Sequence, residues 1–179
     1  MMRLDRKGFT LIEVIVVAAI IAILAGILVP MILKEIDESR ITRAAGDIRS
    51  ISSAIIVLKK DTGQWPVSAT CTPNVTLLVG VGSVPDPAAG VIGWDFTTQA
   101  KYDDYFLNDA QECWPDTWKG PYMASVTIDP WGHSYITNAS NFLVQGTAAW
   151  LLSAGPNGVI DTPADNNIVA GDDIGMRLK

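Results

Sequence analysis

Apolar residues are spread unevenly along the chain. Residues 14–33, VIVVAAIIAILAGILVPMIL, are twenty consecutive positions without a charge. As an α-helix they span about 30 Å, enough to cross a bilayer. From Lys34 the pattern becomes periodic: Ile36, Ile41, Ala44, Ala45, Ile48, Ile51, Ile55 and Leu58 recur mostly at steps of three and four, one stripe of a helix. Glu35, Asp37, Glu38, Arg40, Arg43, Asp47 and Arg49 fill the other faces, where the acids can pair with Arg40 and Arg43 or with a neighbouring molecule. Asp61-Thr62-Gly63, followed by Trp65-Pro66, marks the helix end. Span and stripe together predict one helix of about fifty residues, roughly 75 Å long.

The C-terminal third changes period. Short β-prone runs predict strands near 134–137, 142–146 and 148–153, with Asn138-Ala139-Ser140-Asn141 as a turn. These strands are expected to form a small antiparallel sheet with one face on the helix. Asp129-Pro130-Trp131-Gly132 reads as a turn whose tryptophan fills the core. The class is therefore α+β: a long N-terminal helix packed on a small C-terminal sheet. Residues 67–128 are rich in Val, Thr, Gly and Pro and read as loop with short strand or helix pieces. Asp103, Asp104, Asp109, Glu112 and Asp116 lie there among Tyr102, Tyr105, Phe106, Trp114 and Trp118. A carbohydrate-binding or catalytic carboxylate pair is conceivable in such company. With no histidine, nucleophile or acid-pair signature to organise it, the segment reads as surface loop.

Charge and composition narrow the classes. The formal net charge is −6, which disfavours wholesale nucleic-acid binding. His133 is the only histidine and has no obvious partner for metal or base chemistry. No GxxxxGK[ST] segment is present, so the chain is not its own source of nucleotide energy. Cys71 and Cys113 fall outside CxxC and zinc spacings. A disulfide between them is expected if the domain is exported.

The N-terminus orients the span. Arg3, Arg6 and Lys7 stand against one Asp5 before the apolar run, a bias that keeps this end in the cytoplasm and sends the rest outward. A cleaved secretory signal explains the bias. However, the run is long for one, carries Glu13 at its lip, and passes into an amphipathic helix. A plain signal anchor needs only the charge bias and the span. Neither accounts for Glu13, since a carboxylate at membrane depth costs roughly 2.5–3.5 kcal/mol on insertion scales.

KGFTLIEVIVV resembles the N-terminal processing motif of type IV pilins and type II secretion pseudopilins. The resemblance covers the basic Lys7, Gly8, the aromatic Phe9, Thr10-Leu11-Ile12, Glu13 and Pro30. It implies that a membrane peptidase cuts after Gly8 on the cytoplasmic side and methylates the new N-terminus at Phe9. Residues 1–8 would then be a leader, 9–33 a membrane and filament-core helix, and 34–179 a periplasmic pilin-like domain. That domain would divide into the helix 34–60, a variable region 67–128, and a sheet with an acidic loop over 129–179. Glu13 would pair with the α-amino group of Phe9 on a neighbouring subunit, fixing axial register. Pro30 would kink or locally melt the helix on assembly.

Two further segments are similar to major pseudopilins. LKKDTGQWP resembles the segment that closes their long helix, and GPYM followed by DPWGHSY resembles their GPYL…DPWGNPY block. After them comes SAGPNGVIDTPADNNIVAGDDIG, similar to the family's calcium loop. Glycine-rich, oxygen-bearing loops of this kind suit calcium, although the EF-hand pattern is absent. The resemblance implies ligands at Ala154 (carbonyl), Asn157, Asp172 and Asp173, with Asp161 as a further candidate. Asn157 stands where the family has aspartate, which lowers the charge of the site.

The resemblance thus implies a non-enzymatic subunit of a periplasmic pseudopilus, held in the inner membrane until it polymerises. Its partners would be other copies of itself, the prepilin peptidase, minor pseudopilins, an inner-membrane assembly platform and a cytoplasmic ATPase. A type IV pilin of a surface pilus is the near alternative. A signal-anchored periplasmic enzyme or binding domain is the distant one.

Overall fold

A computed structural model describes residues 8–179 and forms two compact units, one ending at Arg40 and one spanning Ile41–Lys179. Helix α1 (Leu11–Thr62) begins in the first and ends in the second. In the first unit every described residue is solvent-exposed, including the apolar ones. The helix continues across Pro30, although proline supplies no amide hydrogen there. At the other end Gly63 adopts φ +74° and returns its N–H to Lys59 O, the left-handed stop expected of glycine.

The second unit is built on the stripe of α1. Ala44, Ile48, Ile51, Ala54, Ile55 and Leu58 are buried, while Ile41 remains exposed. The remaining elements are β1 (Leu77–Val79), β2 (Asp86–Pro87), β3 (Gln99–Lys101), α2 (Asp103–Phe106), β4 (Ile136–Asn138), β5 (Trp150–Ser153), β6 (Val159–Ile160) and β7 (Ile174–Arg177). The main sheet has the order β3-β1-β4-β5-β7, parallel between β3 and β1 and antiparallel elsewhere. β2 and β6 form a separate parallel pair.

Here the structure corrects the expected sheet. It is five-stranded and mixed, and two of its strands, β1 and β3, are the short strand pieces of the region 67–128, which join the main sheet. Both faces are covered. Leu78 and Leu151 face the cluster that contains the stripe of α1, whereas Leu77, Val79, Ile136, Trp150 and Leu152 face a second cluster closed by Val84, Trp94, Phe96 and Val169. A sheet buried on both faces reads as continuous apolar runs such as LLV and WLLS, without polar alternation.

Residues 142–146 form no strand. A 3₁₀ turn (Ala139–Phe142) follows β4, and the buried Asn138 side chain bridges the gap to β5. Its Nδ2 donates to Ala148 O at 3.1 Å, and its Oδ1 accepts from Trp150 N at 2.6 Å. The middle region also supplies core rather than surface: Tyr102, Tyr105 and Phe106 are fully buried. Cys71 and Cys113 are joined by a disulfide, with Cα atoms 5.3 Å apart across 42 positions. In the Asp129–Gly132 turn the buried residue is Asp129, and Trp131 is only half-buried.

Candidate functional site

The N-terminal candidate residues begin at the edge of the described chain. Lys7 lies outside the described residues, and Gly8 and Phe9 are exposed, Phe9 by 90 %. Glu13 folds back onto the start of its own helix. Thr10 N and Thr10 Oγ1 each donate to Glu13 Oε2 at 2.8 Å, and Glu13 N donates to Thr10 Oγ1 at 3.4 Å. This is a capping box, with threonine before the first helical residue and glutamate three positions on. The T-x-x-E spacing is present in the sequence, but the expectation for Glu13 is a pairing with Phe9 of a neighbouring subunit rather than a cap on its own helix. The carboxylate therefore has a partner within one chain, through which it satisfies two donors at an otherwise open helix end. Beyond it, α1 contains an eighteen-residue apolar window, long and apolar enough to cross a membrane, none of which is buried in the structure.

The second candidate is the loop between β5 and β7. Gly155, at φ +62°, approaches Asp172 so closely that a Cβ would collide with its carbonyl oxygen. Gly171, at φ +63°, leaves the same kind of space for the carboxylate of Asp161. The two arms of the loop thus need glycine to meet. Asp172 Oδ2 accepts Asn157 N at 2.9 Å, and Asp161 Oδ2 accepts Asn157 Nδ2 at 2.9 Å. Asp173 Oδ2 accepts the amides of Asp161 (2.9 Å) and Thr162 (2.7 Å).

Asp173 is the unusual member. It is 8 % exposed, its Oδ1 is buried without a partner, and burial pushes its carboxyl above the ordinary aspartate range. A buried carboxylate oxygen with no donor is costly unless something positive completes it. The nearby donors are carboxylate, amide and carbonyl oxygens, the set that a hard cation such as calcium prefers. Ala154, whose carbonyl was the proposed backbone ligand, is fully buried in the same loop. Among the described residues no three His, Cys, Asp or Glu side chains converge as a preformed metal cluster. Oxygen donors of this kind are chemically suited to calcium, and Asp173 Oδ1 is the one among them buried without a partner.

His133 lies against this loop: a Cβ on Gly158 would meet its ring, and its Nδ1 is buried without a partner. Nothing in the sequence pattern linked His133 to Gly158.

Comparison with known proteins agrees with this architecture. Residues 3–29 match the prokaryotic N-terminal methylation motif. The chain is 28 % identical to the type II secretion system core protein G of Pseudomonas aeruginosa, over 82 % of this chain and 80 % of that protein. It is 28 % identical to the Escherichia coli core protein G, over 89 % of this chain and 88 % of the relative. A fimbrial protein of Eikenella corrodens, EcpC, is 34 % identical over 52 % of this chain and 62 % of its own length. No solved structure matches significantly. The exposed apolar helix, the α+β domain and these matches make the chain similar to type IV pilins and type II secretion pseudopilins. Over most of its length it resembles the type II secretion system core protein G, a major pseudopilin.

Proposed function

We propose that the chain is the structural subunit of a type II secretion pseudopilus, anchored in the inner membrane by α1 with its C-terminal domain in the periplasm. The observation that carries this reading is the motif together with an apolar stretch of α1, long enough to cross a membrane, that buries nothing within its own chain. An apolar surface of that length needs lipid or other helices around it, and a filament core supplies the latter once the subunit leaves the bilayer. Cleavage after Gly8 would free Phe9 for methylation. Glu13 would then exchange its bonds to Thr10 for the amino group of Phe9 on a neighbour, a pairing whose mismatch is costly enough to set register. Copies of the same chain, minor pseudopilins, an assembly platform and a cytoplasmic ATPase are the partners. The role is structural, and no reaction is assigned. Calcium bound through Asp173, with Ala154, Asn157, Asp161 and Asp172 as further oxygen donors, would neutralise buried charge and staple the loop.

Mass spectrometry of the protein extracted from membranes tests this reading. The expected N-terminus is N-methyl-Phe9, and an unprocessed Met1 would leave only a signal-anchored domain. A subunit of a surface pilus is the second reading, carried by the similarity to the fimbrial protein. Deleting the chain decides between them: loss of secreted enzymes with unchanged surface fibres supports the pseudopilus, and loss of surface fibres supports the pilus.

A further inference from the structure

Residues 84–96 cross the face of the sheet turned away from the stripe of α1. Val84, Trp94 and Phe96 pack there on the cluster that holds Leu77, Val79, Trp150 and Leu152, yet all three remain only half-buried. The polar ties of this segment run to one place. Asp86 and Pro87 pair with Val159 and Ile160, and Ala88 N donates to Ile160 O at 2.8 Å. Ala164 N donates to Ile92 O at 3.0 Å, and Trp94 Nε1 donates to Thr162 O at 2.7 Å. Among the described residues, the hydrogen bonds from 86–94 to the rest of the domain thus all land on residues 159–164.

Residues 159–164 are also one arm of the acidic loop, and Thr162 is its junction. Thr162 is fully buried; its amide donates to Asp173 Oδ2 at 2.7 Å and its Oγ1 accepts Ala170 N at 3.0 Å. One residue therefore holds Asp173 with its amide and Trp94 with its carbonyl. Asp173 Oδ2 also accepts Asp161 N, so a displaced carboxylate would release both amides together. A shift of Thr162 by about 1 Å would carry the Trp94 bond past hydrogen-bonding distance. A segment with so few ties and such shallow burial belongs to the least stable parts of a domain, where small local changes decide whether it is docked.

We propose, resting on the calcium reading above, that residues 84–96 are a strap latched to the sheet through Thr162, and that a cation on Asp173 closes the latch. By completing the buried Oδ1, the ion would fix the carboxylate, hence Thr162, hence Trp94. With the latch open, the apolar face beneath the strap is uncovered.

Hydrogen exchange read by mass spectrometry on the full chain in detergent, with calcium chloride or chelator, tests the coupling. Calcium should slow exchange about tenfold both in 159–173 and in the strap, with Ala88 as its reporting amide, and leave the buried stripe of α1 unchanged. Trp94→Phe, which keeps an apolar ring and deletes the donor, should abolish the calcium effect in the strap while 159–173 stays protected. Calcium protection of 159–173 alone in the unsubstituted chain would overturn the latch and leave the calcium reading standing. No calcium effect in either segment would overturn both. A strap protected by calcium equally well in Trp94→Phe would also overturn the latch.

Discussion

Ser153 Oγ donates to Asp129 Oδ2 at 2.7 Å, joining strand β5 to the Asp129–Gly132 turn inside the protein. Both residues are buried. The other oxygen, Asp129 Oδ1, accepts Trp131 N at 3.0 Å and His133 N at 2.7 Å. Asp129 is thus the organiser of its turn. Asp129→Ala leaves three donors without this acceptor and should cost about 3 kcal/mol, with Ser153→Ala costing about half as much. Urea denaturation of the purified protein measures both. Equal, negligible losses would show that the turn holds without its carboxylate.

The disulfide carries a second prediction. Closing a loop of 42 positions between Cys71 and Cys113 removes denatured-state entropy equivalent to about 4 kcal/mol. The Cys71→Ser, Cys113→Ser double variant should unfold at a correspondingly lower denaturant concentration. The comparison needs both cysteines replaced, because a single substitution leaves a reactive thiol.

Helix α1 lets folding be tested apart from the proposed assembly within one turn. Ile55 is fully buried against the sheet and Ile56 is 53 % exposed. Ile55→Ala should destabilise the monomer by about 2–5 kcal/mol. Ile56→Ala should leave the melting temperature within error, so any loss of filament formation in that variant reports a contact between subunits.

Calcium can be checked through Asp173. Its folded carboxyl is held above the ordinary aspartate value by burial. Without the ion, stability should therefore fall as pH rises from about 4, the unfolded value, through the raised folded one, and stay level above it. A bound cation needs the ionised carboxylate and reverses that trend. Calcium should raise the melting temperature near neutral pH, and the gain should shrink on acidification through the same window. Chelator with no effect at neutral pH, or Asp173→Asn with an undiminished calcium response, would remove Asp173 from the site.

How much of this could be read beforehand depended on how many surfaces each segment buries. The stripe from Ala44 to Leu58 was legible because one face is buried and the other wet, and periodicity survives in such a helix. The stripe is expected to begin at Ile36, but Ile36 and Ile41 are both exposed. Short strand pieces are expected in the middle region, but β1 could not be located within it because LLV is buried and carries no alternation. The extent of β4 was misjudged because the side chain of Asn138 does the work of a ladder bond, which a propensity pattern does not register. Tyr102, Tyr105 and Phe106 looked like loop because their neighbours Asp103, Asp104 and Asp109 are acidic. Asp103 and Asp104 open a short helix whose rings turn inward, and Asp109, beyond its end, is buried with its carboxylate on the amides of Cys113 and Trp114. In the candidate site, Gly155 and Gly171 were visible as loop glycines, but which carboxylate each makes room for depends on tertiary contact.

The bond between Cys71 and Cys113 has a consequence for when the protein is finished. Disulfides persist where thiols are oxidised and are rare where glutathione keeps them reduced. The middle region, with Tyr105 and Trp114 packed beside that bond at a ring separation of 6.2 Å, therefore reaches its full stability only outside a reducing cytoplasm. A subunit that never crosses the membrane remains chemically incomplete. Its redox state is then a record of which side of the membrane it folded on, readable on a non-reducing gel.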